Sequence, residues 1–432
     1  MSVNKETHMK RLLEVIMAII VFAPHLLCAQ QDKTVLDTLV AKGVLTQAEA
    51  SELSREQARV VFSRESSEWV KLSSRFQLQY AYTDSHMLSN DMDAHSSTTG
   101  FLVRRMFLQA DAKIKGGFDV RLSVELARDE IKSVLTDTYI AKDFDFEYLK
   151  GRLCAGYMKP RFGHEDVMSS FSLYTIERTV ATMYWTGDAN GRRLGVGNRY
   201  AGVFWFGEVP QVDGWKYWTS VTNSYQLSPN NYLIEYNNIN NNLAYWFGSS
   251  YDIKGEDFLL TLGFYSGYSS TANKKLGEEP FASIYSFNPF YAGNYKNLYF
   301  WGEFIVSGVA DGKKNAAGDW VQANPYGINF CVEYRFDIGE FGQLGAAFSY
   351  SWLDTGGRGV STRDGVRLSK DIGGTYNNAQ GFDAGLNWYL RGDDLKFQLG
   401  FEYVQYSGTP ENRHANHVAE SLAVRTQLQI KL

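Results

Sequence analysis

The chain has 432 residues, 44% hydrophobic and 21% charged, and it carries no run of apolar residues long enough to suggest a bundle of membrane helices. Its net charge of -5 comes without a basic stripe, which argues against a nucleic-acid partner. Three cysteines, Cys28, Cys154 and Cys331, are too few and too scattered for a disulfide framework.

At the start, Lys10 and Arg11 precede an apolar run from Leu12 to Leu27, broken by Glu14, Pro24 and His25. This pattern predicts a secretory signal over residues 1–29, cleaved after Ala29. Lipoprotein processing at Cys28 is the alternative, and the bulky Leu27 disfavours it. Residues 30–68 are expected to form a short helical periplasmic segment. Leu36, Leu39 and Val40 share a helix face, Gly43 can end that helix, and Thr46 with Glu49 makes a capping box for a second one.

From residue 69 to 432 the pattern is strand and loop. Strands are expected near 70–82, 101–114, 118–127, 134–142, 147–158, 193–207, 215–224, 243–253, 258–268, 281–287, 297–308, 326–338, 343–352, 380–391, 395–405 and 418–432. The weak strand near 281–287 is required by parity. With it, the short turns at Lys115–Gly117, Lys254–Asp257, Gly339–Gly342 and Gly392–Asp394 all fall on one side and the long loops on the other. All eight prolines lie outside the expected strand interiors.

The last three strands show the alternation most clearly. Phe382, Ala384, Leu386, Trp388 and Leu390 share one face with Leu395, Phe397, Leu399, Phe401 and Tyr403 of the next strand; Asp383, Asn387, Lys396, Gln398, Gly400 and Glu402 share the other. Leu422, Val424, Leu428, Ile430 and Leu432 repeat the apolar face against Arg425, Gln427, Gln429 and Lys431. Segments of about ten residues with bulky apolar groups on one side and charges and glycines on the other suit a tilted strand in a bilayer. The fold class is therefore all-β, a transmembrane antiparallel β-barrel of about 16 strands with a polar lumen. On this reading Leu399→Arg damages assembly and Gln398→Arg is tolerated. Tyr (27), Phe (27) and Trp (10) are numerous enough for aromatic girdles.

The longest loop runs from Pro160 to about Arg192. A loop of that length is functional when ordered, and folded into the lumen it would narrow the path with Arg161, Glu165, Asp166, Glu177, Arg178, Arg192 and Arg193. Asp188 and His164 lie in the same stretch. The lumen-facing residues of the wall include Arg75, Arg105 and Arg121, mixed with Asp111, Asp119, Glu333 and Asp383. The expected constriction sets Arg105, Arg178 and Arg193 opposite Glu177, Glu165 or Asp166.

Several short motifs resemble the phosphate-selective porin O and P family of Gram-negative outer membranes. They are Phe101-Leu-Val-Arg104-Arg105, Gly156-Tyr-Met-Lys159-Pro160-Arg-Phe162, Ser169-Ser170, Glu177-Arg178-Thr179 and Gly191-Arg192-Arg193-Leu-Gly195-Val196. The resemblance implies a sixteen-stranded outer-membrane porin, commonly a homotrimer, with its third external loop folded inward. It further implies contact with lipid and lipopolysaccharide, and basic residues that hold small anions, phosphate among them. Two features depart from the family pattern. The stretch from Arg161 to Asn198 has no lysine, its arginines being matched by Glu165, Asp166, Glu177 and Asp188, and Leu432 stands where an aromatic residue is usual.

The function expected is passive diffusion of small hydrophilic solutes, anionic or neutral. The alternatives are an outer-membrane barrel hydrolase and a non-conducting binding barrel. No Gly-x-Ser-x-Gly, His-Glu-x-x-His or P-loop motif is present, and no cofactor is implied. His414 and His417 beside Glu411 fit a polar loop better than a metal site.

Overall fold

In a computed structural model the described residues are 60–65, 68–88, 94–127, 134–187, 192–224, 243–272, 282–412, 415 and 417–432. The expected leader and nearly all of the expected helical segment lie outside them. Within that segment Val60–Glu65 is a strand.

The barrel strands, in order, are β1 (Glu68–Met87), β2 (His95–Ile114), β3 (Phe118–Glu125), β4 (Val134–Leu135 continuing as Thr138–Phe146) and β5 (Leu149–Met158). Next come β6 (Tyr200–Glu208), β7 (Trp215–Asn223), β8 (Leu243–Lys254), β9 (Phe258–Ala272), β10 (Ala282–Tyr295) and β11 (Leu298–Lys314). The series ends with β12 (Trp320–Ala323 continuing as Tyr326–Asp337), β13 (Gln343–Asp354), β14 (Asn378–Arg391), β15 (Leu395–Ser407) and β16 (Val418–Lys431). Each strand pairs antiparallel with its neighbours in sequence, and β16 closes on β1 from Ala419↔Met87 to Lys431↔Arg75. Leu432 extends that closure through two backbone hydrogen bonds with Ser74, both 2.9 Å. All sixteen expected strands are present, including the one required by parity, which runs to Tyr295.

The apolar face points outward, as expected for lipid. Leu386, Phe401 and Phe101 are exposed, whereas Lys396, Gln398, Gln427 and Gln429 are buried inside. The interior is fuller than a watery lumen. Gln398 donates to Asn387 Oδ1 at 2.8 Å and accepts from Gln427 at 3.0 Å, so an arginine there would overfill a satisfied network, and the expected tolerance of Gln398→Arg does not hold.

Two elements depart from simple alternation. Pro289 lies inside β10, contrary to expectation. The ladder to β11 skips from Phe287↔Val306 to Phe290↔Glu303 around it, and the Asn288 amide donates to the Phe304 carbonyl at 2.9 Å in the gap. In β2 the register slips between Gln77↔Arg105 and Leu78↔Val103, leaving Arg104 as the extra residue of a bulge. Val103 and Met106 face outward, so the bulge turns both Arg104 and Arg105 toward the interior.

Candidate functional site: the loop inside the barrel

Between β5 and β6, residues 159–187 and 192–199 lie within the barrel. They carry two short helices, α1 (His164–Val167) and α2 (Val180–Thr186), the latter packed against β12, β13 and β14. The expected strand start at 193 is corrected to Tyr200. Gly195 and Gly197 take positive φ, and Leu194 and Val196 donate backbone N–H groups to Tyr184 and Trp185, which ties the stretch to the loop.

Glycines on the inner face let the loop approach closely. A Cβ at Gly327 would stand 2.9 Å from Trp185, and one at Gly400 would stand 3.1 Å from Ile176. Packing then does much of the work. Phe162, Val180, Ala181, Tyr184, Trp185, Leu194 and Val196 join wall residues such as Trp246, Ile305 and Leu353 in one apolar cluster. The Trp185 indole N–H donates to Ser307 Oγ at 2.8 Å. Lys396 Nζ donates to the Phe171 and Leu173 carbonyls, and the Asn387 amide donates to Tyr174 O.

A second connection, 355–377 between β13 and β14, also enters the barrel, carrying α3 (Thr362–Gly365) with a Ser361 capping box. Val360, Val366 and Tyr376 belong to the same apolar cluster. The sequence reading left this loop unassigned. Its signals were Gly356-Gly357-Arg358-Gly359, three glycines that all take positive φ, followed by the capping residue.

The charged residues of the loop divide into local pairs. Glu177 accepts two hydrogen bonds from Arg104, at 2.5 and 2.8 Å, with Arg367 at 3.8 Å. Burial would raise the Glu177 carboxyl, but the Arg104 guanidinium outweighs it and holds the group well below the usual carboxylate range. Asp166 is bound by Lys159 at 2.6 Å and Arg178 at 3.1 Å, and these cations likewise overcome its burial and lower it. Glu165 accepts from the Thr179 N–H and hydroxyl, with no cation in contact, and burial pushes it up to about 7. Close by, Glu303 of β11 gathers donors from Asn288, Asn329, Thr182 and the His164 backbone.

Arg192 and Arg193 reach the second loop, donating to Arg358 O at 2.6 Å and Asp364 O at 2.9 Å. Arg105 is buried and donates to Gln77 Oε1 at 2.7 Å. The structure thus brings Glu165, Asp166, Glu177, Arg178, Arg192 and Arg193 into contacts that hold the loops, in place of two rows facing across a gap. Arg121, paired with Asp111 at 2.7 Å, and Arg161, over the rings of Phe206 and Trp218, stay partly exposed to the interior. Arg104 is the residue that alternation missed. Two consecutive arginines in a strand that otherwise alternates are the signal for its bulge.

Partly exposed charged groups also collect on β1 to β6 and their ends. Arg152 binds Asp119 and Asp143, Arg199 binds Asp137, and Arg75 of β1 stands near Arg121 and donates to Gln109 Oε1 at 3.4 Å. Cys154 and Cys331 are both free and buried. Among the described residues no group of three or more His, Cys, Asp or Glu could hold a metal ion.

No curated protein matches this chain. Solved structures share its fold. OprB of Pseudomonas putida aligns at 10% identity and TM-score 0.52, covering 83% of this chain and 94% of its own. An anion-selective porin from Comamonas acidovorans aligns at 10% identity and TM-score 0.51, covering 84% of this chain and 100% of its own. Residues 70–208, from β1 through the inserted loop to β6, match the family model of phosphate-selective porin O and P. The chain is thus a closed sixteen-stranded antiparallel barrel whose first six strands and inserted loop are similar to the phosphate-selective porin O and P family.

Proposed function

We propose that the channel passes small hydrophilic solutes with a preference for anions, phosphate among them, along the wall formed by β1 to β6. The observation that carries this reading is an imbalance of partners. Arg75, Arg105 and Arg161 face the interior without a carboxylate in ion-pair distance among the described residues, bonding or stacking instead on Gln109, Gln77 and aromatic rings. Guanidinium stays protonated under all ordinary conditions, so the partly exposed Arg75 and Arg161 bring positive charge to the passage without an ion-pair partner among the described residues, and buried Arg105 adds to the field behind them. The inserted loop narrows the passage by occupying the opposite side, where it packs on β11 to β16.

A charge excess of this kind sets selectivity through the field at the narrowest point. Purified protein in a planar bilayer with a salt gradient should give a reversal potential of the sign for anions, growing as salt is lowered. A cation-selective reversal potential would sink the proposal. Homotrimeric assembly in lipid and lipopolysaccharide is part of the same reading, supported by the similarity of residues 70–208 to that porin family and tested by the mass of the detergent-purified protein.

A further inference from the structure

Below the inserted loop, toward the side of the short turns, the interior opens into a cavity of about 720 Å³. Its wall comes from β4 to β10, and its roof is Arg161 and His164 at the start of the loop. This is the size range of pockets that take organic molecules, and it is far larger than a single hydrated ion requires.

The cavity's cations are not equivalent. Lys216 is bound by Asp252 at 2.6 Å, Arg152 by Asp143 at 2.9 Å, and Lys150 by Asp145 at 3.2 Å. Arg161 makes no ion pair among the described residues. Its guanidinium lies 5.3 Å from the ring centroids of both Phe206 and Trp218, with the Tyr265 hydroxyl beside it. His164 stacks on Phe290 with centroids 4.4 Å apart, and its buried Nδ1 has no hydrogen-bond partner. Burial and the Arg161 charge pull the His164 imidazole down to about 4, so near neutral pH it adds no second charge.

One guanidinium fork, held beside two aromatic rings and lining a roomy chamber, matches a specific chemistry. A carboxylate takes the fork in a two-pronged pair, while a planar apolar body lies along Phe206, Tyr217 and Trp218. Phosphate, doubly charged and strongly hydrated, needs more donors than this position offers. We propose that the chamber is a binding subsite for organic monocarboxylates with an aromatic body, anchored on Arg161. The inference rests on the channel reading only for its place on the solute path.

The test is an equilibrium titration, which does not depend on conductance. The full chain, folded in detergent and checked by heat-modifiable mobility, is titrated calorimetrically with benzoate, acetate and inorganic phosphate. Benzoate should bind at least tenfold more tightly than acetate or phosphate. Arg161→Gln should abolish benzoate binding, and Arg161→Lys should weaken it severalfold, because an ammonium keeps the charge and loses the planar fork. Phe206→Leu should weaken benzoate binding more than acetate binding and so narrow the gap between them. Acetate binding as tightly as benzoate, or Arg161→Gln binding benzoate like the parent, would overturn the proposal. A folded parent protein that binds none of the three anions would overturn it as well. Bilayer conductance measured on the same preparation judges the channel reading separately, since a non-conducting barrel could still bind benzoate.

Discussion

Arg104 and Glu177 form a two-pronged pair inside the barrel, Nε to Oε1 at 2.5 Å and Nη2 to Oε2 at 2.8 Å. The arginine comes from a bulge in β2 and the glutamate from the inserted loop. The pair joins the loop to the wall at β2, at a separate point from the contacts that α2 makes with β12 to β14. An inward-turned loop therefore has two kinds of fastening, apolar packing on one side and a buried ion pair on the other.

Glu177→Ala should destabilise the folded barrel strongly. Removing one partner of a buried pair leaves an uncompensated charge, and losses of about 3–5 kcal/mol are usual. Here Arg104, Arg105 and Arg367 would be left facing one another. The unfolding midpoint of the detergent-folded protein reads the effect, and an unchanged midpoint would show that the loop is held without this pair.

Loop docking should weaken as pH rises from about 4.5 to 7.5. Glu165 has its folded pKa raised to about 7 by burial, above its ordinary 4.5. The folded state therefore binds the proton more tightly than the unfolded chain, so the stabilisation is fully present below about 4.5 and is lost as pH passes through 7. The upper bound on the change is about 3.5 kcal/mol, from a shift of about 2.5 pKa units at about 1.4 kcal/mol each. Asp166 and Glu177 act in the opposite sense, because their lowered values withdraw stability only as pH falls below the usual carboxylate range. Comparing the pH dependence of the unfolding midpoint in the parent and in Glu165→Gln isolates the term. The variant should lose part of the slope between 4.5 and 7.5, and a parallel pair of curves would assign the dependence to another group.

Trp185→Ala should loosen the loop without disturbing the strands. The indole is fully buried, abuts Gly327 and donates to Ser307, and deletions of this size cost about 3–5 kcal/mol where the site cannot collapse. Conductance should rise and become noisier. Heat-modifiable folding should persist, since the barrel ladder involves none of these atoms. Unchanged conductance would place the passage away from α2.

Most of the barrel was legible because the signal is repeated. Sixteen strands each show a period of two, and short turns such as Lys115-Gly116-Gly117 alternate with long loops, so a single weak strand could be placed by parity. What alternation cannot show is where it breaks. The bulge at Arg104 and the proline in β10 both interrupt the period, and both are resolved by side chains that the local pattern does not pair. Nor does the polar face reveal what it faces. Gln398, Lys396 and Arg425 do point inward, yet they meet other side chains and loop carbonyls in place of water. The inward course of 160–192 followed from its length and charge. That of 355–377 did not, because it is shorter and its glycines read equally well as an external turn.

The lipid and lumen faces can be separated by two substitutions. Leu386 is well exposed on the outer face of β14, and an arginine there should cost about 2–4 kcal/mol near the bilayer midplane and impair insertion. Lys216→Gln removes one half of a partly exposed pair with Asp252, worth about 0–1 kcal/mol, and should fold normally. Folding yield in lipid vesicles distinguishes them, and equal yields would mean that the faces have been assigned wrongly.

Arg121 and Arg193 should have different effects on current. Arg193 donates to the carbonyls of Arg363 and Asp364, so it couples the two inserted loops. Arg193→Ala should free them and raise conductance for both signs of ion, with little change in reversal potential. Arg121 is partly exposed on the β3 wall and balances Asp111. Arg121→Gln leaves that carboxylate uncompensated beside Arg75, which shifts the local field by one charge without unfastening a loop. Reversal potential should then move toward cations, most at low salt, where the Debye length of about 30 Å at 0.01 M lets a single charge act across the passage. If Arg193→Ala moves the reversal potential as far as Arg121→Gln and leaves conductance unchanged, Arg193 belongs to the solute path and the loops are coupled by something else.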